Sequence, residues 1–252
     1  MSKPYRGTIT GPAGPGMTNS KPKLINAYEH LPQEYLKKPQ TYDSYDEIKV
    51  DLPFRGMVVG ASGSGKTQTA MNIVLGMNAF THLYLYVKDP EESIYKYLID
   101  TFTKVGSKLK KNCITFSNSL ADCPSIEEFD ANETNLVIFD DMMLENKKDL
   151  KKAEEIYVRG RRQNVSALWI TQSYYETPKI IRQNVNYVWV IKIQSVADLN
   201  RMCREYQLDK TPQQLLALYQ VTRSTKNSFL LIDLQTNDES LKYRNGWEPL
   251  IA

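Results

Sequence analysis

Residues 60–67 read Gly-Ala-Ser-Gly-Ser-Gly-Lys-Thr, a complete match to G-x-x-x-x-G-K-S/T, and this stretch constrains the fold more than any other in the chain. Its glycines let the backbone curl until several N–H groups point inward at one anion. A helix starting at Lys66 adds the positive end of its dipole. Lys66 is then placed to reach the β- and γ-phosphates of a nucleotide, and the Thr67 hydroxyl to ligate Mg²⁺. The expected nucleotide-binding set is Gly60, Ala61, Ser62, Gly63, Ser64, Gly65, Lys66, Thr67 and, one step into the helix, Gln68. ATP and Mg²⁺ are the expected ligands. The cradle needs a buried strand leading in and a helix leading out. Residues 55–59 are apolar and strand-like, and residues 66–76 carry a helical pattern.

The same alternation continues downstream. Strands are predicted at 83–87, 114–116, 136–139, 165–171, 187–192 and 229–234, and helices at 91–105, 150–162, 196–206 and 212–219. In the first of these helices Ile94, Tyr97, Leu98 and Phe102 are predicted to share one face. Strands alternating with helices imply an α/β fold with a mostly parallel sheet and helices on both faces. Residues 1–45 differ. Gly11-Pro12 and Gly14-Pro15-Gly16 mark a flexible or extended N-terminal arm, and the domain proper is expected over 46–252.

The strand at 136–139 ends in Asp140-Asp141. A carboxylate there faces the phosphate loop in the crevice at the strand carboxyl ends. Asp140 is predicted to hold Mg²⁺ through its water shell, and Asp141 to orient and help deprotonate an attacking water. The next strand ends in Thr171-Gln172. If that strand lies between the loop strand and the Asp140 strand, Gln172 meets the γ-phosphate and can position water. Asn146-Lys147-Lys148-Asp149 spells a guanine-reading motif, but no apolar strand leads into it, and the match is read as accidental.

Composition excludes several classes. No apolar run reaches the ~18 residues of a membrane span, and three cysteines and two histidines offer no zinc spacing. The net charge of +3 and the pI of about 8.5 suit a nucleic-acid partner without marking a strongly basic domain. Basic residues are locally dense, however. Lys147, Lys148, Lys151, Lys152, Arg159, Arg161 and Arg162 face only three acids over the same stretch. On a helix, Lys148, Lys151 and Lys152 share a face that could track phosphates or simply be solvated.

Taken in order, GASGSGKT, LVIFDDMM, GRRQNVSALWITQSYY, TPKIIRQNVNYVWVIK and SFLLIDLQ resemble the poxvirus-type genome-packaging ATPases of the FtsK/HerA superfamily. The resemblance covers roughly residues 50–250. Its specific part is 160–192, with Gln172 and Pro178-Lys179 spaced as in that family; Arg162 stands where the family often has His. It implies a RecA-like P-loop core and ATP-driven translocation of double-stranded DNA, without sequence preference, into a preformed capsid. It also implies a ring homo-oligomer, a pentamer or hexamer, docked on viral capsid vertex proteins in the viral factory of the host cytoplasm or in the virion. Ring motors of this kind complete their site with a neighbour's arginine. Arg161, just before the 165–171 strand, is the candidate acting across the interface, and Arg182 the alternative within one subunit. Another FtsK/HerA-type translocase, a small-molecule kinase on the same loop, and a protein keeping ATP as a structural ligand are the rivals. The Asp140-Asp141 and Gln172 pattern favours water as the acceptor.

Overall fold

The computed structural model describes residues 31–32, 40–224 and 228–250. Most of the expected arm lies outside these residues. A compact unit begins at residue 39, so residues 40–45, grouped with the arm by composition, belong to it. The Tyr42 hydroxyl donates to the Val50 carbonyl at 2.9 Å, and Ser44 Oγ to the Gly76 carbonyl at 2.6 Å.

The strands are β1 (Arg55–Val59), β2 (His82–Val87), β3 (Ile114–Ser117), β4 (Asn135–Asp140), β5 (Val165–Thr171), β6 (Tyr187–Val190), β7 (Leu230–Asp233), β8 (Tyr243–Asn245) and β9 (Glu248–Pro249). They form one nine-stranded sheet in the order β3-β2-β4-β5-β1-β6-β7-β8-β9. From β1 to β6 all pairings are parallel, and β7 to β9 close the sheet with antiparallel pairings. The helices are α1 (Tyr45–Ile48), α2 (Lys66–Met77), α3 (Ser93–Leu109), α4 (Lys147–Arg159), α5 (Lys179–Asn184), α6 (Val196–Glu205) and α7 (Pro212–Arg223). Strand β5 is inserted between β1 and β4, with Val59 paired to Thr171 and Asp140 to Ile170. This is the arrangement of a RecA-like P-loop core, and it brings the ends of β1, β4 and β5 side by side.

Side chains alternate across the sheet, so each strand feeds two cores. Met57, Val59, Phe139 and Trp169 pack against Ala153, Ile156 and Tyr157 of α4 and against α5, α6 and α7. Val58, Leu85, Ile138 and Ile170 face the other way, onto Ala70, Ile73 and Val74 of α2 and Tyr95 and Leu98 of α3. Local signals fix the helix starts. Thr211 caps α7 in a capping box with Gln214, and Pro212 occupies the first turn, where its missing N–H costs nothing.

Several elements differ from expectation. On α3 the inward residues are Tyr95 and Leu98, with Ile94 and Phe102 half-buried, while Tyr97 is 57% exposed. At 100° per residue, Tyr97 lies to one side of Leu98 and Tyr95, Phe102 and Gly106 to the other, so the buried stripe excludes it. Helix α5 and the β8–β9 hairpin have too short a pattern to announce themselves.

Arg244 on β8 is fully buried. Its guanidinium lies 3.2 Å from Asp233 Oδ2 and donates to the Ile48 carbonyl at 2.6 Å and the Lys49 carbonyl at 3.2 Å, tying α1 to the last strands. Burial alone raises the Asp233 carboxyl and lowers Arg244, and each opposes the other's shift. Arg244→Ala leaves Asp233 buried without its cation and is expected to cost about 3–5 kcal/mol of stability. Urea unfolding measures this, and a cost below ~1 kcal/mol would show that the pair is not needed for the packing.

Candidate functional site

The loop after β1 is rooted in both neighbouring strands. The Gly60 N–H donates to the Thr171 carbonyl at 3.2 Å, and the Ala61 N–H to the Lys192 carbonyl at 2.5 Å. Gly63 and Gly65 have φ of 67° and 92°, a left-handed backbone that a side chain would strain. A Cβ at Gly60 would come within 2.5 Å of Ser64 Oγ. Gly60 and Ala61 therefore anchor the curl, and residues 62–68 line a cleft of about 540 Å³. Asp140, Asp141, Thr171 and Gln172 line the same cleft. The structure thus gathers the loop, both acids and the glutamine, although they are distant in sequence.

Lys66 opens α2 and folds back, with Nζ donating to the Ala61 carbonyl at 3.0 Å. Burial lowers its pKa, while Asp140 and Asp141 pull it up. Gln68 points to solvent and donates to Asn72.

The two acids differ in setting. Asp140 ends β4 and is partly buried. Burial raises its carboxyl to about 6, against the Tyr95 hydroxyl and Lys66, which lower it. The Tyr95 hydroxyl donates to Asp140 Oδ2. Tyr95 is only 2% exposed. Its own acidity is suppressed by burial first and then by the Asp140 charge, and the Thr67 hydroxyl also engages it. Asp141, one residue on, is exposed and has φ 56° and ψ 33°. Among the described residues no group of three or more His, Cys, Asp or Glu side chains could hold a metal on its own. The Thr67 hydroxyl and one Asp140 carboxylate are hard oxygen donors, a set that fits Mg²⁺ retaining waters and substrate phosphate oxygens. Tyr95, Lys88, Asp89 and Glu92 also line the cleft. The sequence reading does not single them out; the helical phase of α3 is the signal that would have found Tyr95.

The arginines separate. Arg161 and Arg162 are exposed in the 3₁₀ turn Gly160–Gln163, before β5. Gln172 follows the far end of β5, so the strand's whole length of roughly 23 Å separates them at ~3.3 Å per residue. Arg182 corrects the expectation of a finger within one subunit. Its side chain is buried, and Nη1 donates to the carbonyls of Tyr175 at 2.6 Å, Thr177 at 3.2 Å and Tyr174 at 3.4 Å. Its Nε lies 3.1 Å from Glu205 Oε2. The guanidinium staples the segment after Gln172 to itself and to α6, and its burial in these contacts holds it away from a role as a mobile finger.

The basic stretch is also divided. Lys152 Nζ donates to the Ala121 and Cys123 carbonyls, and Arg159 pairs with Glu127 and Glu155. Lys152 therefore leaves the face assigned to it with Lys148 and Lys151, while Lys147, Lys148 and Lys151 are exposed. The Asn146–Asp149 stretch is a helix cap. Asn146 Oδ1 accepts from the Lys148 and Asp149 N–H groups at 3.0 Å, and its amide donates to the Asp149 carboxylate.

With this geometry in place, residues 42–237 match the protein family described as Poxvirus A32 protein. The DNA packaging protein OPG160 of Vaccinia virus (strain Copenhagen) is 25% identical over 195 residues, which is 74% of this chain and 72% of that protein. The genome packaging NTPase B204 from Sulfolobus turreted icosahedral virus 2, in complex with sulfate, superposes with a TM-score of 0.53 at 13% identity, over 80% of this chain and 99% of that one. The DNA-packaging ATPase B204 from Sulfolobus Turreted Icosahedral Virus gives a TM-score of 0.54, also at 13% identity, over 79% and 99%. At such identity the two structures establish a shared fold.

Proposed function

This chain belongs to the Poxvirus A32 protein family, and on that premise we propose that it is an ATP-driven motor that translocates double-stranded DNA into a preformed viral capsid. The observation that carries the proposal is one cleft holding the glycine loop, Asp140, Asp141 and Gln172, with Gln172 delivered by a strand inserted between β1 and β4. A relative named as a DNA packaging protein supplies the biological direction.

In this reading the N–H groups of residues 62–67 and the α2 dipole receive the phosphates. Lys66 leaves the Ala61 carbonyl to neutralise charge on the β- and γ-phosphates. Thr67 and Asp140 would hold Mg²⁺, which would neutralise phosphate charge. Asp141, exposed to the cleft, orients a water and accepts its proton, and Gln172 positions that water against the γ-phosphate. Arg161 serves the cleft of a neighbouring copy in a ring, because its own lies a strand length away. The exposed Lys147, Lys148 and Lys151 contact DNA phosphates. Viral factories and virions are where such a motor would work, docked on a capsid vertex. Among the described residues no helix is long and apolar enough to cross a membrane.

The test is ATP turnover with and without duplex DNA, together with DNA affinity at two salt concentrations. Turnover should release inorganic phosphate and rise with DNA of any sequence. With six or more phosphates neutralised across a ring, affinity should fall about 10³-fold between 50 and 200 mM salt. Phosphate appearing on a small acceptor instead of in water would identify a kinase. Salt-independent affinity, or binding to one sequence only, would argue against a tracking groove.

A further inference from the structure

The proposed reading gives no role to the hydroxyl of Tyr95, a buried polar group of the cleft. Tyr95 sits in the first turn of α3 on its inward face, 2% exposed. The ring packs with Val58, Ile138 and Ile170 in the core that carries β1, β4 and β5. Its hydroxyl emerges at the end of β4 and donates to Asp140 Oδ2. Asp140 is one of the two groups that the proposed ATPase reading assigns to Mg²⁺.

The chemistry of a carboxylate makes this contact consequential. The terminal torsion of Asp is broad and roughly two-fold, so a carboxylate at a strand end has no strong rotameric preference of its own. A donor fixed to one oxygen sets the plane and leaves the other oxygen with a defined direction. A phenol on a packed helix is such a donor, because its position is held by the core and not by solvent.

We infer that Tyr95 is a positioning residue that orients Asp140, and through it the Mg²⁺ ligand set, in the nucleotide cleft. The inference rests on the ATPase reading of that cleft. Groups that orient metal ligands typically contribute about 10–100-fold to metal affinity. Tyr95→Phe removes one oxygen and keeps the ring in the core.

The experiment measures equilibrium binding of a fluorescent non-hydrolysable ATP analogue to the full chain, without Mg²⁺ and across a Mg²⁺ titration. Wild type, Tyr95→Phe, Asp140→Asn and the double variant are compared. Tyr95→Phe should raise the half-saturating Mg²⁺ concentration about tenfold, while Mg²⁺-free affinity stays within about twofold. In the Asp140→Asn background the same substitution should shift the Mg²⁺ midpoint by less than about twofold, because its target is gone. The readout is a ratio of binding with and without Mg²⁺, so a general loss of stability falls on both terms, and thermal midpoints of the same samples report it separately. An unchanged Mg²⁺ midpoint in Tyr95→Phe would overturn the inference. So would an equal loss with and without Mg²⁺, or a full tenfold shift in the Asn background. Wild type that binds the analogue with no Mg²⁺ dependence would overturn the ATPase reading, and this inference with it.

Discussion

Lys66→Ala should abolish ATP turnover, lowering it at least about 10²–10³-fold, the scale of losing one preorganised charge-stabilising donor. The lysine opens α2 with its head group against the Ala61 carbonyl, inside the curl of the loop. Desolvation there already weakens the ammonium's preference for its charged form, and Asp140 and Asp141 offset this only in part. A nucleotide phosphate would replace the carbonyl as partner and add the full charge of the transferred group. The phosphate-loop assignment fails if the variant turns over at the wild-type rate. The same protein also serves to place the arginine. Mixed with Arg161→Ala, itself expected to be inactive, it should recover part of the lost activity if Arg161 acts on a neighbouring copy, since some mixed pairs carry an intact lysine beside an intact arginine. Fingers of this kind are worth about 10³–10⁵ in rate, so even a small recovered fraction is measurable. Mixed assemblies with no recovery would exclude Arg161.

Asp141→Asn should slow hydrolysis by about 10²–10⁴-fold while Mg²⁺–ATP binding stays close to wild type. The amide keeps the size and the hydrogen-bonding reach of the carboxylate and cannot accept a proton. Rapid-quench turnover at saturating nucleotide, beside an equilibrium binding curve, separates the two effects. Loss of Mg²⁺-dependent binding with normal chemistry at saturation would exchange the roles of Asp140 and Asp141. The structural settings favour the assignment as given. Asp140 is the sheltered residue that accepts from Tyr95, and Asp141 is the exposed one on the cleft wall.

What the sequence made legible was local or strictly periodic. The glycine loop could be read because strand, loop and helix follow one another without interruption, and residues 55–77 fold that way. Gln172 is placed by sequence only on the condition that its strand lies between the loop strand and the Asp140 strand; β5 does lie between β1 and β4, and Gln172 lines the cleft. What escaped was either a matter of phase or a matter of long-range partners. Tyr95 and Tyr97 are two residues apart on one helix, and a small shift of the assumed apolar face exchanges them. Arg182 looked available because its acceptors are backbone carbonyls of residues 174, 175 and 177, which a sequence does not display as partners. Lys152 likewise spends its charge on carbonyls some thirty residues away. The fully buried Arg244 has no local signature at all, because Asp233, Ile48 and Lys49 reach it only through tertiary packing.

The left-handed backbone at Asp141 restricts what this position can become. With φ at 56°, short residues such as Gly, Asn and Asp are most at ease there. Glu would carry the same acid on a longer arm, but its backbone would bear a strain of roughly 1–2 kcal/mol. The acid at this point of the chain is therefore kept short by geometry as well as by reach. Of Gly, Asn and Asp, only Asp can take a proton, and Asn is a single base change from it in the genetic code. With the role proposed for Asp141, a folded, nucleotide-holding, chemically silent form would lie one mutation from the active one, with no conformational barrier guarding against it.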